Sequence, residues 1–417
     1  MTVVIPTEER YSRTPDGSLW TRGPHDHGFW QRYLAVFERV RVVARVLDVS
    51  EPGTAAKRMD GDGVECSLVP YYVGPSQFLR RAWRVRGAVR RSVHANDAVI
   101  MRVSGTLANL LEPALIAAQH PYGLEVIGDP YDVFAAGAVE HPIRPFFRWW
   151  FPHVLRRQCL RAAGVAYVTE RTLQKRYPCG AYSVGMSDVV LNEAALLGRS
   201  PVFTTHYSSI ELEKDDRLHC ERSNHERQKR MDIVTVGSLE QPYKGIDVLI
   251  AATAKSIAAG RNIRLTIVGE GRYRQSLENL AIQLGIGNSI RMTGQLASAQ
   301  SVQAILDDSD LFVLASRTEG LPRAMIEAMA RGLPCLGTNV GGIPELLEPS
   351  ELVAPNDPDA LSAKIDETLS RPEYMTQLSA RNLEKAGGYR AELLDARRKQ
   401  FFEHIRSVTE RWISGLN

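Results

Sequence analysis

The chain has 417 residues, 44% of them hydrophobic and 24% charged, with a formal net charge of +3. That length allows two domains, the composition excludes wholesale disorder, and so small a net charge excludes a polyelectrolyte. The five cysteines, Cys66, Cys159, Cys179, Cys220 and Cys335, include no C-x-x-C pair; neither a disulfide framework nor a cysteine zinc site is supported, and reduced thiols in the cytoplasm are expected.

The chain opens with MTVVIPTEERYSR, which has no long apolar core behind a basic start, so no signal peptide is expected. No apolar run approaches the roughly 20 residues a spanning helix needs, so any meeting with a membrane is from its surface. Residues Gly17–Gly28 (GSLWTRGPHDHG) read as a flexible loop. His25 and His27 invite a metal, but His-Asp-His supplies only part of a site, and no metal is assigned. Strands are expected at Val40–Leu47, Ser67–Val73, Ala98–Val103, Gly123–Ile127, Ala166–Thr169 and Asp188–Leu191.

Two stretches between them are basic. Leu79–Arg91 holds six arginines and no acid, and Arg144–Arg161 holds five arginines with Phe146, Phe147, Trp149, Trp150 and Phe151. Cationic and aromatic side chains together suit an anionic membrane surface, met through Arg80–Arg91 and Arg144–Arg161; solvated arginines with the aromatics in the core are the alternative. No nucleic-acid recognition module is visible. Glu211–Asp232 is dense in charge and reads as a linker.

Beyond it, β-branched runs alternate with helix-period segments. Strands are expected at Asp232–Val236, Arg264–Val268, Ser289–Thr293, Asp310–Leu314, Pro334–Gly337 and Glu351–Val353, and helices at Gly245–Ala259, Gln275–Leu284, Ala299–Asp307 and Ala324–Arg331. Strict alternation marks a parallel sheet covered by helices, whose ligands sit beyond the carboxyl ends of the strands. Three turns lie there. In the first, Gly237 ends a strand and Lys244 stands at a helix start, where an ammonium suits a diphosphate; a solvated lysine explains it equally. The second, Gly269-Glu270-Gly271-Arg272, lacks the third glycine of a dinucleotide fingerprint, and close helix–strand packing explains it as well. The third runs from Leu314 to Ala330. Glu319 falls on the loop, where it could cap the helix. Glu327 stands among Met325, Ile326, Ala328, Met329 and Ala330, where an unpaired charge is costly. Two ribose hydroxyls would satisfy it, as would a buried ion pair.

The run from Val236 to Val353 resembles the C-terminal domain of the retaining glycosyltransferases of family 4. The two glutamates, the run Glu327–Pro334 (E-A-M-A-x-G-x-P) and Gly341-Gly342-Ile343-Pro344-Glu345 all fit. The resemblance implies an α/β GT-B fold, two Rossmann-like domains with parallel sheets facing a central cleft. The expected limits are 1–210 for an acceptor domain, 211–231 for the linker, 232–387 for a nucleotide-sugar domain and 388–417 for a C-terminal helix packing back on the first domain. It also implies that Glu327 holds the donor ribose, that Glu319 lies beside the transferred sugar, and that the amides of Gly320 and Leu321 approach the diphosphate. By the same resemblance Lys244 would neutralise the leaving phosphate, with Gly237, Ser238, Gly269 and Gly271 around it. Where the family usually has arginine this chain has Ser238, and Arg317, Arg323 and Arg272 are the substitutes at hand. Where many members carry a histidine stands Gly128, followed by Asp129, which either takes over a polar catalytic role or caps the next turn.

The function expected is retaining, metal-independent transfer of a hexose-type sugar from a nucleotide-diphosphate donor to a glycan or lipid-linked acceptor. The setting implied is bacterial surface polysaccharide or glycolipid synthesis, at the inner face of the membrane and without a cofactor. A nucleotide-sugar epimerase or hydrolase of the same fold, or a silent nucleotide-sugar-binding protein, are the alternatives.

Overall fold

The computed structural model describes residues 1–53, 56–134, 143–187, 191, 230–296 and 298–415. It divides into two compact units, one of Met1–Tyr131, Phe146–Asp188 and Leu394–Asn417, the other of Asp132–Pro145 and Val189–Leu393. Both are α/β with Rossmann-like parallel sheets. The expected strand Asp188–Leu191 and the expected linker lie outside the described residues, apart from Leu191, Arg230, Met231 and Asp232.

The first unit contains β1 (Thr2–Arg13), β2 (Leu19–Thr21), α1 (His27–Leu34), β3 (Arg39–Asp48), β4 (Lys57–Arg58), β5 (Val64–Pro70), α2 (Gly74–Arg91), β6 (Ala98–Val103), α3 (Thr106–Ala117), β7 (Gly123–Val126) and a single turn, α4 (Pro130–Val133), at its edge. α5 (Arg144–Arg161), β8 (Gly164–Tyr167), α6 (Thr172–Arg176) and β9 (Tyr182–Gly185) follow. The parallel pairings β5–β3–β1–β6–β7–β8–β9 form the sheet, and β2 with β4 adds an antiparallel flap to the end of β1. β6 is buried at every position, as a parallel strand covered on both faces must be. Its one charge, Arg102, is matched by Glu125 on β7 at 2.5 Å, and the Tyr33 hydroxyl donates to the same carboxylate at 2.8 Å.

Four strands, β1, β2, β4 and β9, were not anticipated. β1 runs beside β6 through Val3 and Val4, yet its second half, TEERYSR, is polar and disguises it. A register shift between Pro6 and Arg10 lets the chain continue along β3 after the apolar half ends. The flap joined to this extension makes the expected loop Gly17–Gly28 partly strand. β9, only four residues long, had too little pattern to read.

The second unit contains β10 (Met231–Val236), α7 (Ile246–Ala258), β11 (Ile263–Val268), α8 (Arg274–Gln283), β12 (Ile290–Gly294), α9 (Ala299–Asp307), β13 (Leu311–Leu314), α10 (Arg323–Ala330), β14 (Cys335–Thr338), α11 (Ile343–Leu346), β15 (Leu352–Val353), α12 (Pro358–Leu369) and α13 (Pro372–Gly387). The sheet order is β12–β11–β10–β13–β14–β15, all parallel. Ile233, Leu265, Ile267, Leu311 and Val313 meet Leu249, Ile250 and Ile365 in its core. Because β10 is flanked by β11 on one side and β13 on the other, the winding direction reverses between β10 and β13, and that is where such sheets open a ligand crevice.

α14 (Ala391–Gly415) ends the chain. From Leu394 onward it belongs to the first unit, where Phe401, Phe402 and Ile405 are buried and Phe402 stacks on Tyr33 at 4.6 Å. Gly123 and Gly164 leave the room it occupies: a Cβ on Gly123 would lie 2.8 Å from Ile405.

Candidate functional site

The reversal point gathers the turn after β10 and the loop after β13. The β10 chain leaves through Gly237 and Ser238 and reaches a tight 3-10 turn, Pro242–Lys244, closed by Gly245. Gly245 adopts φ +62, and a Cβ there would lie 1.9 Å from the carbonyl oxygen of Ala315. A left-handed conformation and a backbone contact together demand glycine. The two loops are stitched further by Arg317 N donating to the Tyr243 carbonyl at 2.7 Å. Lys244 is thereby held over Gly237 and pointed at the second loop.

Lys244 Nζ lies 2.7 Å from Glu319 Oε1, and the Ser316 hydroxyl donates to the same oxygen at 2.6 Å. Both charged side chains are largely buried, 14% and 7% exposed, so leaving either member alone would be costly. The backbone of Glu319 is clamped from β14: Gly342 N donates to the Gly320 carbonyl at 2.7 Å, and a Cβ on Gly341, at φ +53, would lie 1.8 Å from the Glu319 carbonyl oxygen. Thr338 donates to the Ser316 carbonyl at 2.6 Å. Gly341, part of the run that fits the resemblance, thus shapes the loop together with Ser316 and Thr338, which had not been singled out.

Next to this loop, the Gly320 and Leu321 amides have no acceptor among the described residues, and α10 begins two residues later. Such amides at a helix start are a ready anion site. Glu327, on α10, is half-buried and has neither hydrogen bond nor ion pair among the described residues. Burial pushes its carboxyl above the usual range, partly opposed by the charge of Arg323. A carboxylate so placed is an acceptor in want of donors.

The other cations divide. Arg317 is not available to an anion: both terminal nitrogens pair with Asp247, at 2.9 and 2.6 Å, and Nε reaches Asn356 at 2.6 Å. Arg272 donates through Nε to the Glu240 carbonyl at 2.9 Å. Arg323 is exposed, with no hydrogen bond or ion pair among the described residues. Gly269 and Gly271 pack on the β10 turn; a Cβ on either would fall 1.9 Å from the Gly237 carbonyl oxygen or 2.2 Å from Glu240 N. Ser238 is exposed and its Oγ accepts from Glu240 N at 3.2 Å.

In the first unit, Asp129 is buried and fully engaged. Tyr131 N donates to it at 2.9 Å, the Tyr177 hydroxyl donates at 2.5 Å, and Arg176 pairs with its second oxygen. One oxygen takes the Tyr131 amide and the Tyr177 hydroxyl and the other the Arg176 guanidinium, a cap and an ion pair, which is the capping role the sequence offered as the alternative to a catalytic one. His25 pairs with Glu9 at 2.7 Å while His27 lies 3.4 Å from the Asp62 carbonyl, so the two rings serve different partners.

Residues 218–385 match the family described as glycosyl transferases group 1. Protein CapJ of Staphylococcus aureus is 24% identical over 92% of this chain and 90% of its own length. A GDP-mannose-dependent monoacylated alpha-(1-6)-phosphatidylinositol monomannoside mannosyltransferase of Corynebacterium glutamicum is 33% identical over 34% of this chain and 38% of its own. HepE of Anabaena, solved in complex with UDP-glucose, shares the fold with a TM-score of 0.60 and 15% identity, each chain covered to 100%.

Proposed function

We propose that this chain, whose residues 218–385 match the family of glycosyl transferases group 1, transfers a hexose-type sugar from a nucleotide-diphosphate donor to a glycan or lipid-linked acceptor with retention of configuration. The observation that carries this reading is the pairing of Lys244 with Glu319 at 2.7 Å where the sheet reverses, with a Glu327 carboxylate on the following helix that has no partner among the described residues. The ribose hydroxyls of the donor would donate to Glu327 and recover what its burial costs. The diphosphate would take the Gly320 and Leu321 amides, with Lys244 and Arg323 as its cations. These charges stabilise the departing nucleoside diphosphate, the largest single lever for such a transfer. The bond from the anomeric carbon to the phosphate oxygen breaks as the bond to the acceptor hydroxyl forms on the same face. The hydroxyl proton passes to the leaving phosphate, so no separate base from the chain is required.

Support for a nucleotide donor comes from HepE, which holds UDP-glucose, and from the GDP-mannose-dependent relative. The latter's phosphatidylinositol-linked acceptor supports a lipid-linked one here, met at the inner face of the membrane. A thermal-shift series with UDP, GDP and ADP, followed by product analysis in the presence of EDTA, tests the reading. A rise in Tm with one diphosphate and an EDTA-resistant product of retained anomeric configuration are expected. Free sugar or an epimer formed without acceptor would instead favour a hydrolase or epimerase, and binding without turnover a silent protein.

A further inference from the structure

We infer that the outer faces of α2 and α5 form a docking surface for an anionic lipid bilayer. Both helices bury their inner sides in one cluster of the first unit: Val85 and Val89 from α2, Leu155 and Cys159 from α5, with Leu107 and Leu111 of α3 among them. α3 packs on α2 and is tied to α5 by Arg157 to Glu112 and Gln158 to Asn109, each at 3.0 Å. The two basic helices therefore lie in one layer, on either side of a shared neighbour.

Their outward sides are unusual for a surface in water. On α2, Leu79 is 72% and Trp83 71% exposed. Spacings of four, seven and eleven residues align Leu79 with Trp83, Arg86 and Arg90 on one stripe. On α5, Phe146, Trp149 and Leu160 are 52%, 56% and 54% exposed and share a stripe with His153 and Arg156. Phe146 and Trp149, which the alternative reading placed in the core, are turned outward, and the core side of each helix is already filled. Exposed Arg80, Arg84, Arg86, Arg90, Arg91, Arg156 and Arg161 have no ion pair among the described residues.

A bilayer satisfies both halves of this pattern, taking the indole and phenyl rings at the headgroup level and the guanidinium groups on lipid phosphates. Nucleic acid would use the arginines and leave Leu79, Trp83 and Phe146 wet. A second copy docked face to face would set arginine against arginine, because a two-fold contact repeats the same patch. No described helix is long and apolar enough to cross a membrane, so the contact is with its surface.

The test is flotation of the full chain with phosphatidylcholine vesicles, with and without phosphatidylglycerol, at low salt and at about 0.5 M salt, where charges are screened. Binding only to the anionic vesicles, weakened by salt and accompanied by a blue shift of tryptophan emission, is expected. Arg80, Arg84, Arg86 and Arg90 replaced together by Ser should weaken it by roughly a hundredfold or more, at about 1 kcal/mol per arginine. Trp83→Ser with Trp149→Ser should abolish the blue shift while an unchanged Tm shows the fold intact. Failure of the parent to float, equal flotation on pure phosphatidylcholine, or displacement from vesicles by duplex DNA would overturn the inference. So would self-association that these same substitutions remove. Nucleotide binding is read separately, so loss of the donor reading leaves this result standing and the reverse.

Discussion

The ammonium of Lys244 and the carboxylate of Glu319 lie 2.7 Å apart although 75 residues separate them in the chain. One leaves the turn after β10, the other the loop after β13, and the reversal of winding between those strands brings them together. In a chain without donor the pair neutralises itself. Were a diphosphate to bind beside it, as proposed, Lys244 would have a second anion to serve and Glu319 would be left nearer the sugar. The pair is a catalytic device only if that exchange happens.

Lys244→Met should therefore lower kcat by about 10²–10³-fold, the usual effect of removing one charge-stabilising donor. Because Glu319 is left buried without its cation, the variant should also lose stability, by about 3–5 kcal/mol at most. Lys244→Met with Glu319→Gln should recover most of the stability and none of the activity. Thermal melts beside initial rates separate the two effects, and recovery of activity in the double variant would count against the role of Lys244.

Glu327 offers a test in which stability and binding move in opposite directions. Burial raises its folded pKa, so the ionised form is penalised in the native state. Below the ordinary carboxylate value both states are protonated and nothing is lost. As pH rises from there through the folded pKa, the native state gives up stability. Glu327→Gln should melt higher than the parent at pH 7, with the difference shrinking as the pH falls below the ordinary carboxylate range. It should at the same time bind the nucleoside diphosphate more than about tenfold more weakly. Calorimetry showing unchanged affinity would remove Glu327 from the site.

Ser238 is exposed at the place where the resembling family carries arginine. With Arg317 consumed by Asp247, the cradle has one cation fewer than that pattern implies. Ser238→Arg should tighten diphosphate binding by about tenfold or more, from one charge-assisted hydrogen bond. Titration at two salt concentrations should show the gain shrinking as salt rises.

Gly341 holds the Glu319 loop by leaving no side chain in its way. Gly341→Ala places a Cβ against the Glu319 carbonyl in a left-handed conformation, at a cost of about 1–3 kcal/mol or a displaced loop. kcat should fall more than nucleotide affinity, since Glu327 stands on α10 and not on that loop. Equal losses in both would mean that the unit as a whole had been disturbed.

Asp129→Asn separates a scaffold from a catalyst. Its carboxylate holds Arg176, Tyr177 and the Tyr131 amide, so the variant should lose about 2–4 kcal/mol of stability. At a temperature where it is folded, kcat should stay within about twofold, well under 1 kcal/mol. A large fall in kcat there would favour the catalytic role over the capping one.

The sequence by itself determined the alternation of the second unit. α9 occupies Ala299–Asp307 as its periodicity predicts, and the expected strands appear within a few residues of their places. Apolar runs and turn glycines are local signals, and parallel strands buried on both faces make them strong. β1 escaped because its second half is polar, and a register shift that no local pattern announces carries it on along β3. Only the tertiary structure decided which charges were free. Arg317, Arg323, Asp129 and Glu327 look alike in a string of residues; Asp247, Tyr177 and Arg176 arrive from distant segments to occupy two of them and leave the others open. The same holds for Trp83 and Trp149, whose exposure depends on which helix face the sheet has already claimed. Pairing and burial are set by through-space neighbours, and in a wound sheet those neighbours come from other strands' loops, tens of residues away.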